Sequence, residues 1–169
     1  AGDVDGDGDI DLFVGIRLEP KFYGMPMNGY LLINDGKGNF SDQTKDRAPE
    51  LNKLGLITDA QWVDLDLDND LDLVVVGEWM PITILIQEQG RWNNRSSSWG
   101  LQENGYFQTV LVTDINMDKY PDIVVGNLGL NSRFHASNQY PLQLYINDYD
   151  QNGTVEQIFT MTVEEKKYP

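Results

Sequence analysis

Five aspartates fall within nine residues near the start of the chain, in Asp3-Val4-Asp5-Gly6-Asp7-Gly8-Asp9-Ile10-Asp11. Carboxylates at that density repel one another strongly unless a positive charge sits among them. Three alternate (Asp3, Asp5, Asp7), Gly8 follows for the sharp turn, and Asp11 closes the set. A chain folds oxygen ligands around one hard cation in this way, and Ca²⁺ is the usual one. The run returns as Asp64-Leu65-Asp66-Leu67-Asp68-Asn69-Asp70-Leu71-Asp72, and again as Asp114-Ile115-Asn116-Met117-Asp118-Lys119-Tyr120-Pro121-Asp122. A fourth copy, Asp148-Tyr149-Asp150-Gln151-Asn152-Gly153-Thr154-Val155-Glu156, ends in Glu. An acidic surface turn without metal is the plain alternative, and four copies of one length argue against it.

An EF-hand would need a bidentate Glu at position 12 of each loop and flanking helices. Position 12 is Val14, Val75, Val125 and Phe159, inside β-branched or aromatic runs. Position 9 must therefore close the site. The inferred ligands are side chains at positions 1, 3, 5 and 9 with the backbone carbonyl of position 7. These are Asp3, Asp5, Asp7 and Asp11 with Asp9; Asp64, Asp66, Asp68 and Asp72 with Asp70; Asp114, Asn116, Asp118 and Asp122 with Tyr120; and Asp148, Asp150, Asn152 and Glu156 with Thr154. Position 6 grades the loops. Gly8 and Gly153 accept positive φ freely and Asn69 tolerates it, whereas Lys119 is strained there and brings a cation to the site. With Asn116 at position 3 as well, the third loop is expected to be the weakest of up to four Ca²⁺ sites.

The acids outnumber the bases, 27 against 12, for a net charge of −15. More than half of the acids lie in the four loops, so the charge is mostly a metal-site signature. It argues against nucleic acid as a partner, because phosphate binding needs clustered Lys and Arg. There is no cysteine, hence no disulfide framework. Weak Ca²⁺ loops suit the millimolar free calcium outside cells, so the expected setting is extracellular, cell-surface or periplasmic. The longest apolar runs are strand-length, too short for a membrane span.

Strand signals carry the loops. Ile10 to Leu18 and Gly29 to Asn34 are apolar runs, and Asp35-Gly36-Lys37-Gly38-Asn39 reads as a hairpin turn into Phe40-Ser41. Residues 42–56 read as a connection with one helical turn. The next unit is the clearest: Asp59 to Val63, the second loop, Leu71 to Gly77, Ile82 to Ile86, and a turn at Gln89-Gly90 into Arg91-Trp92. Phe107 to Thr113, the third loop and Asp122 to Gly126 begin to repeat that order, followed by an insertion from Asn127 to Tyr140. Leu142 to Ile146, the fourth loop and Val155 to Val163 either complete the third unit or open a fourth. Units of four short strands read as β-propeller blades, with a β-sandwich as the alternative. The expected fold is all-β: one partial β-propeller over residues 1–169, of about three four-stranded antiparallel blades near 1–50, 55–97 and 100–169.

A strand, an acidic loop and then Leu-Phe-Val-Gly, Leu-Val-Val-Val-Gly or Ile-Val-Val-Gly resembles the FG-GAP or VCBS-type repeats of integrin-α-like β-propellers. Asp3 to Gly15, Asp64 to Gly77 and Asp114 to Gly126 carry the resemblance, and Asn34 to Phe40 is similar to the family's later hairpin turn. The resemblance implies structural calcium, and adhesion or binding of a protein or glycan ligand away from the calcium loops. It also implies more blades than this chain holds. The first loop starts at residue 3 with no strand before it, so the chain reads as part of a longer bacterial surface or secreted protein that associates through open blade edges.

No catalytic constellation stands out, and the expectation is a non-enzyme. The alternative is the scaffold of a secreted polysaccharide hydrolase or lyase. His135 is the sole histidine and lies in the polar insertion, while Glu19, Glu78, Glu88 and Glu103 show no distinctive spacing. Of the tryptophans, Trp62 and Trp92 read as blade packing, with Trp79 and Trp99 the candidates for exposure.

Overall fold

The computed structural model describes every residue except Leu130, His135, Glu164 and Glu165. His135, the sole histidine, lies outside the described residues. The chain is almost wholly β. The first strands are β1 (Leu12–Gly15), β2 (Gly29–Asn34) and β3 (Phe40–Asp42), an antiparallel meander. A short helix α1 (Thr44–Arg47) and a 3-10 turn (Pro49–Leu51) fill the predicted connection. Then come β4 (Leu56–Val63), β5 (Asp72–Met80), β6 (Thr83–Glu88) and β7 (Arg91–Asn94), paired in that order as a four-stranded meander. A 3-10 turn at Ser96–Trp99 leads to β8 (Gly105–Thr113) and β9 (Asp122–Asn127). The chain ends in β10 (Gln143–Asn147), β11 (Glu156–Val163) and β12 (Lys166–Tyr168), a meander of its own.

Packing explains the unbroken apolar run of β5. Leu73 and Val75 face one way, into a cluster with Val4, Leu31, Leu51, Ile57 and Trp92. Val74 and Val76 face the other way, onto Ile84, Ile86, Val110 and Val112. A sheet buried on both faces needs apolar residues at successive positions rather than alternate ones. The middle meander is thus packed between the first meander and the β8–β9 hairpin, as blades pack around a propeller axis. Among the described residues the sheets do not close into a ring.

Neighbouring first strands are stitched by side chains. Gln61 of β4 accepts the Val112 N–H at 2.7 Å and donates to the Val112 carbonyl at 3.2 Å. Asp59 accepts the Val110 N–H at 2.9 Å, and the Thr58 hydroxyl donates to the Phe107 carbonyl at 3.0 Å. Polar residues in the middle of β4 thereby replace a backbone ladder.

The recurring glycine after each apolar run marks a close approach. A Cβ on Gly77 would lie 2.2 Å from the Leu56 carbonyl oxygen, and one on Gly15 2.4 Å from the Ile57 Cγ2. Beside Gly77 and Gly126 the paired strand bulges, between Ile57 and Asp59 and between Phe107 and Thr109.

The third stretch departs from the four-strand expectation. Among the described residues β8 and β9 pair with each other and, through Gly105 and Tyr106, with the end of β5, whereas β10–β12 form a separate sheet. The register settles what the last hairpin repeats. The residue before each loop pairs with its ninth residue in all four copies: Gly2 with Asp11, Val63 with Asp72, Thr113 with Asp122 and Asn147 with Glu156. The β10–β11 hairpin is therefore the same element as β4–β5 and β8–β9. Trp92 is buried and Trp62 packs on the core, while Trp99 is 47% exposed.

Candidate metal centre

Each acidic loop closes a β-hairpin, and one hydrogen-bond pattern shapes all four. The carboxylate at position 1 gathers the N–H groups of positions 5 and 6. Asp3 takes those of Asp7 and Gly8 at 3.1 and 3.0 Å, Asp64 those of Asp68 and Asn69 at 3.1 and 3.0 Å. Asp114 takes those of Asp118 and Lys119 at 3.1 and 2.8 Å, and Asp148 those of Asn152 and Gly153, both at 2.9 Å. The position-5 side chain accepts the position-7 N–H in every copy, at 2.8–2.9 Å. The position-9 carboxylate accepts the position-2 N–H: Val4 to Asp11, Leu65 to Asp72, Ile115 to Asp122 and Tyr149 to Glu156, at 2.8–2.9 Å. Charged acceptors on backbone donors are the stronger class of hydrogen bond, and here they curl nine residues about their own carboxylates.

The curl requires two left-handed residues per loop. Position 6 has positive φ throughout, at Gly8, Asn69, Lys119 and Gly153, as expected. Position 4 does too, at Gly6, Leu67, Met117 and Gln151. Sequence reading missed position 4 because only the first loop has glycine there. Leu67 and Met117 are 50% and 88% exposed, so no burial offsets the cost of their conformation.

The curl brings the acids together. Carboxylate oxygens of Asp3, Asp5 and Asp11 lie within 4.8 Å of one another, as do those of Asp64, Asp66 and Asp72 and those of Asp148, Asp150 and Glu156. These are positions 1, 3 and 9, and each group could hold a metal ion. At position 5, Asp7, Asp68, Asp118 and Asn152 each put one side-chain oxygen on their own loop's backbone. The side chains at position 7 are not among the three-acid groups. Asp9 lies against the 35–39 hairpin turn, where a Cβ on Gly36 would be 2.3 Å from its Oδ2. Tyr120 is 63% exposed, and the Thr154 hydroxyl donates to Asn152 Oδ1 at 2.6 Å.

The third loop has no such three-acid group. Asn116 replaces the carboxylate, and its amide is turned onto its neighbour: Nδ2 donates to Asp118 Oδ2 at 3.0 Å, and Oδ1 accepts the Asp118 N–H at 2.9 Å. The first two loops are the most deeply set. Asp11 and Asp72 are fully buried, and their second oxygens accept N–H groups from the next strand, Asn34 and Gln87, both at 2.8 Å. Burial pushes the Asp72 carboxyl up to about 6 despite those bonds, with Asp66 and Asp68 adding to the rise. Asp9 and Asp66 are raised as well, first by desolvation and then by neighbouring aspartates. Acids held this close, with Asp72 buried as well, are hard to ionise together without a cation among them. The donor set is hard oxygen throughout and fits a hard cation.

At the far end of β5 lies a second polar centre that spacing alone did not reveal. Glu78 is fully buried and accepts from Arg17 Nη2 at 2.6 Å, Arg17 Nε at 3.1 Å and the Tyr23 hydroxyl at 2.9 Å. Gln108 Nε2 lies 3.4 Å from it, and Trp79 Nε1 donates to the Tyr23 hydroxyl at 3.3 Å. The pairing holds the Arg17 guanidinium above its ordinary value, and burial raises the Tyr23 phenol. The group joins the β1–β2 connection, the end of β5 and the start of β8.

Stacked meanders with one acidic hairpin loop at the same register define a propeller-type repeat protein. The model of the FG-GAP-like repeat matches residues 3–75 and 64–125, and the chain belongs to that family. A search of the curated proteins finds no match.

Proposed function

We propose that this chain is a calcium-stabilised, non-catalytic propeller segment that serves a secreted or cell-surface protein as a binding or adhesion module. One observation carries the calcium reading: three loops place carboxylates from positions 1, 3 and 9 within reach of a single ion, on an identical hydrogen-bond frame. Asp3, Asp5 and Asp11, Asp64, Asp66 and Asp72, and Asp148, Asp150 and Glu156 would hold the ions, joined by position 5. A bound Ca²⁺ supplies charge that the loops lack. Ca²⁺ that binds the folded loops and not the unfolded chain stabilises by mass action. The non-catalytic reading is supported at Glu78, which among the described residues is the fully buried acid outside the loops and is spent on Arg17 and Tyr23. Among the described residues no helix is long and apolar enough to cross a membrane.

The test is thermal unfolding in excess EDTA against 10 mM CaCl₂. Calcium is expected to add on the order of 1–3 kcal/mol per filled site, with Mg²⁺ doing markedly less. An unchanged melting temperature in EDTA would remove the calcium reading. Protein and glycan arrays probed in calcium would test the binding role.

A further inference from the structure

In the first two units a third strand closes over the acidic loop. β2 sets Leu32 opposite Leu12, and β6 sets Leu85 opposite Leu73. Two residues further on, the N–H groups of Asn34 and Gln87 reach the second oxygens of Asp11 and Asp72, both at 2.8 Å. Position 2 of each loop is buried with residues of that strand, Val4 with Leu31 and Ile33, Leu65 with Ile84 and Ile86.

The third unit repeats the loop and its hairpin without that cover. Among the described residues β9 pairs with β8 alone, so its other edge is open. Asp122 takes the Ile115 N–H at 2.9 Å but none from a further strand. At position 2, Ile115 is 59% exposed, and Val124 is exposed in the middle of β9. These differences share one cause, the missing third strand. Unpaired edges of this kind are templates for another chain.

β9 itself has the form of the strand that is missing. Leu128 donates its N–H to the Tyr106 carbonyl of β8 at 2.9 Å, so by alternation the N–H groups of Ile123, Val125 and Asn127 turn to the open edge. Laid antiparallel to a second β9, with Val124 opposite Val124, Ile123 faces Val125 as Leu12 faces Leu32. Asn127 then falls where Asn34 and Gln87 stand, with its N–H on Asp122 of the other copy. The contact recurs in the opposite direction, as a two-fold interface requires. The other open strand, β10, also ends in Asn but does not fit. Asn147 pairs with Glu156 in the register of Gly2 with Asp11, which exchange N–H and C=O groups, so its N–H turns to β11.

We propose that β9 pairs with β9 of a second copy about a two-fold axis at Val124. The two sheets become one, and Asn127 of each copy completes the frame of the other's third loop. Pairing over six residues is marginal in water by itself. Val124, with Leu111 opposite it on β8, adds an apolar patch beside the axis, and the dimer is a weak one. The inference goes beyond the binding-module reading and does not rest on bound calcium.

The chain has no cysteine, so Val124→Cys carries a single thiol. On the axis this position is a non-hydrogen-bonded pair with Cα atoms about 4.5 Å apart, within disulfide range. The two copies of Leu111 would lie three strand spacings apart, about 14 Å. In high salt, which screens the charge of the copies, diamide is expected to cross-link Val124→Cys at least tenfold faster than Leu111→Cys or Met117→Cys. Amide hydrogen exchange on the unaltered chain needs no variant to fold. The Val125 and Asn127 amides are expected to gain protection as protein concentration rises. Equal cross-linking at the three positions, or exchange at Asn127 that is fast at every concentration, would overturn the proposal. An Asn127 amide protected even at high dilution would overturn it as well, since another part of the same chain would then cover the edge.

Discussion

At the scale of single residues, the pull between burial and charge at Asp72 sets a pH dependence. A free aspartate titrates near 4, whereas the buried Asp72 carboxyl is pushed up to about 6. Between those values the metal-free folded state keeps a proton that the unfolded chain has lost. Its stabilising effect is complete below about pH 4 and gone once pH passes about 6, a loss on the order of 2 kcal/mol. Asp9 and Asp66 are raised in the same direction. Urea midpoints in EDTA should therefore fall from pH 4 to pH 6.5, and saturating Ca²⁺ should reverse the slope by holding the carboxylates ionised. A midpoint that rises with pH in EDTA would contradict this account. The Glu78 centre gives a second prediction. Removing Arg17 strands a fully buried carboxylate, while removing the Glu78 charge leaves a guanidinium that is half exposed. Arg17→Met should cost about 3 kcal/mol and Glu78→Gln clearly less, an asymmetry read by chemical denaturation. Equal costs would mean that burial of the charge is not what matters. The loop acids were legible because their spacing is itself the site. Glu78 was not, since its partners lie 55 and 61 residues away in the chain.

At the scale of the element, the nine-residue loop and the glycine that follows it form one device. The loop's frame needs left-handed backbone at positions 4 and 6, and the third copy meets that need with Met117 and Lys119. A non-glycine residue in that region costs about 1 kcal/mol, partly offset by the lower chain entropy it brings. Lys119→Gly should stabilise the metal-free protein by about 0.5 kcal/mol and raise calcium affinity at this loop by removing a cation; isothermal titration would read the second effect. The glycine after the loop answers to packing instead. Gly77→Ala would drive a Cβ into the Leu56 carbonyl and Met80 Sδ and should cost about 2–3 kcal/mol in melting experiments. Gly126→Ala meets only the Thr109 methyl, at 2.9 Å, and should cost less. The order of strands through β9 was readable from apolar runs and turn residues. Position 4 was hidden because four different situations, Gly, Leu, Met and Gln, share one backbone shape. The place of the last hairpin was hidden because only register, not composition, distinguishes it.

At the scale of the molecule, two apolar layers share β5, and this governs what is covered and what is open. Val110 and Val112 of β8 pack inward on that strand's second face, while Leu111 on the outer side is 55% exposed and Val124 of β9 is 43% exposed. Tyr145 of β10 and Ile158 of β11, in the separate last sheet, are exposed to 42% and 41%. The middle meander is apolar on both faces because both are covered; β8 and β9 carry the same kind of residues on a side that none of the described residues covers. Exposed strands of that composition associate unless charge prevents it. Here the charge is itself conditional. At −15 the metal-free chain repels its own copies, and ions in all four loops would bring the charge to about −7. Association should therefore be weakest in EDTA at low salt and grow when calcium is added, the reverse of what simple unfolding on metal removal would give. Sedimentation velocity over a range of protein concentrations in EDTA and in calcium would read this directly. Leu111→Lys should return the calcium form to monomer while leaving its melting temperature within about 0.5 kcal/mol equivalents of the parent, as expected for an exposed site. If the association persisted in Leu111→Lys, or appeared only in EDTA, the contact would lie elsewhere than on the β8–β9 face.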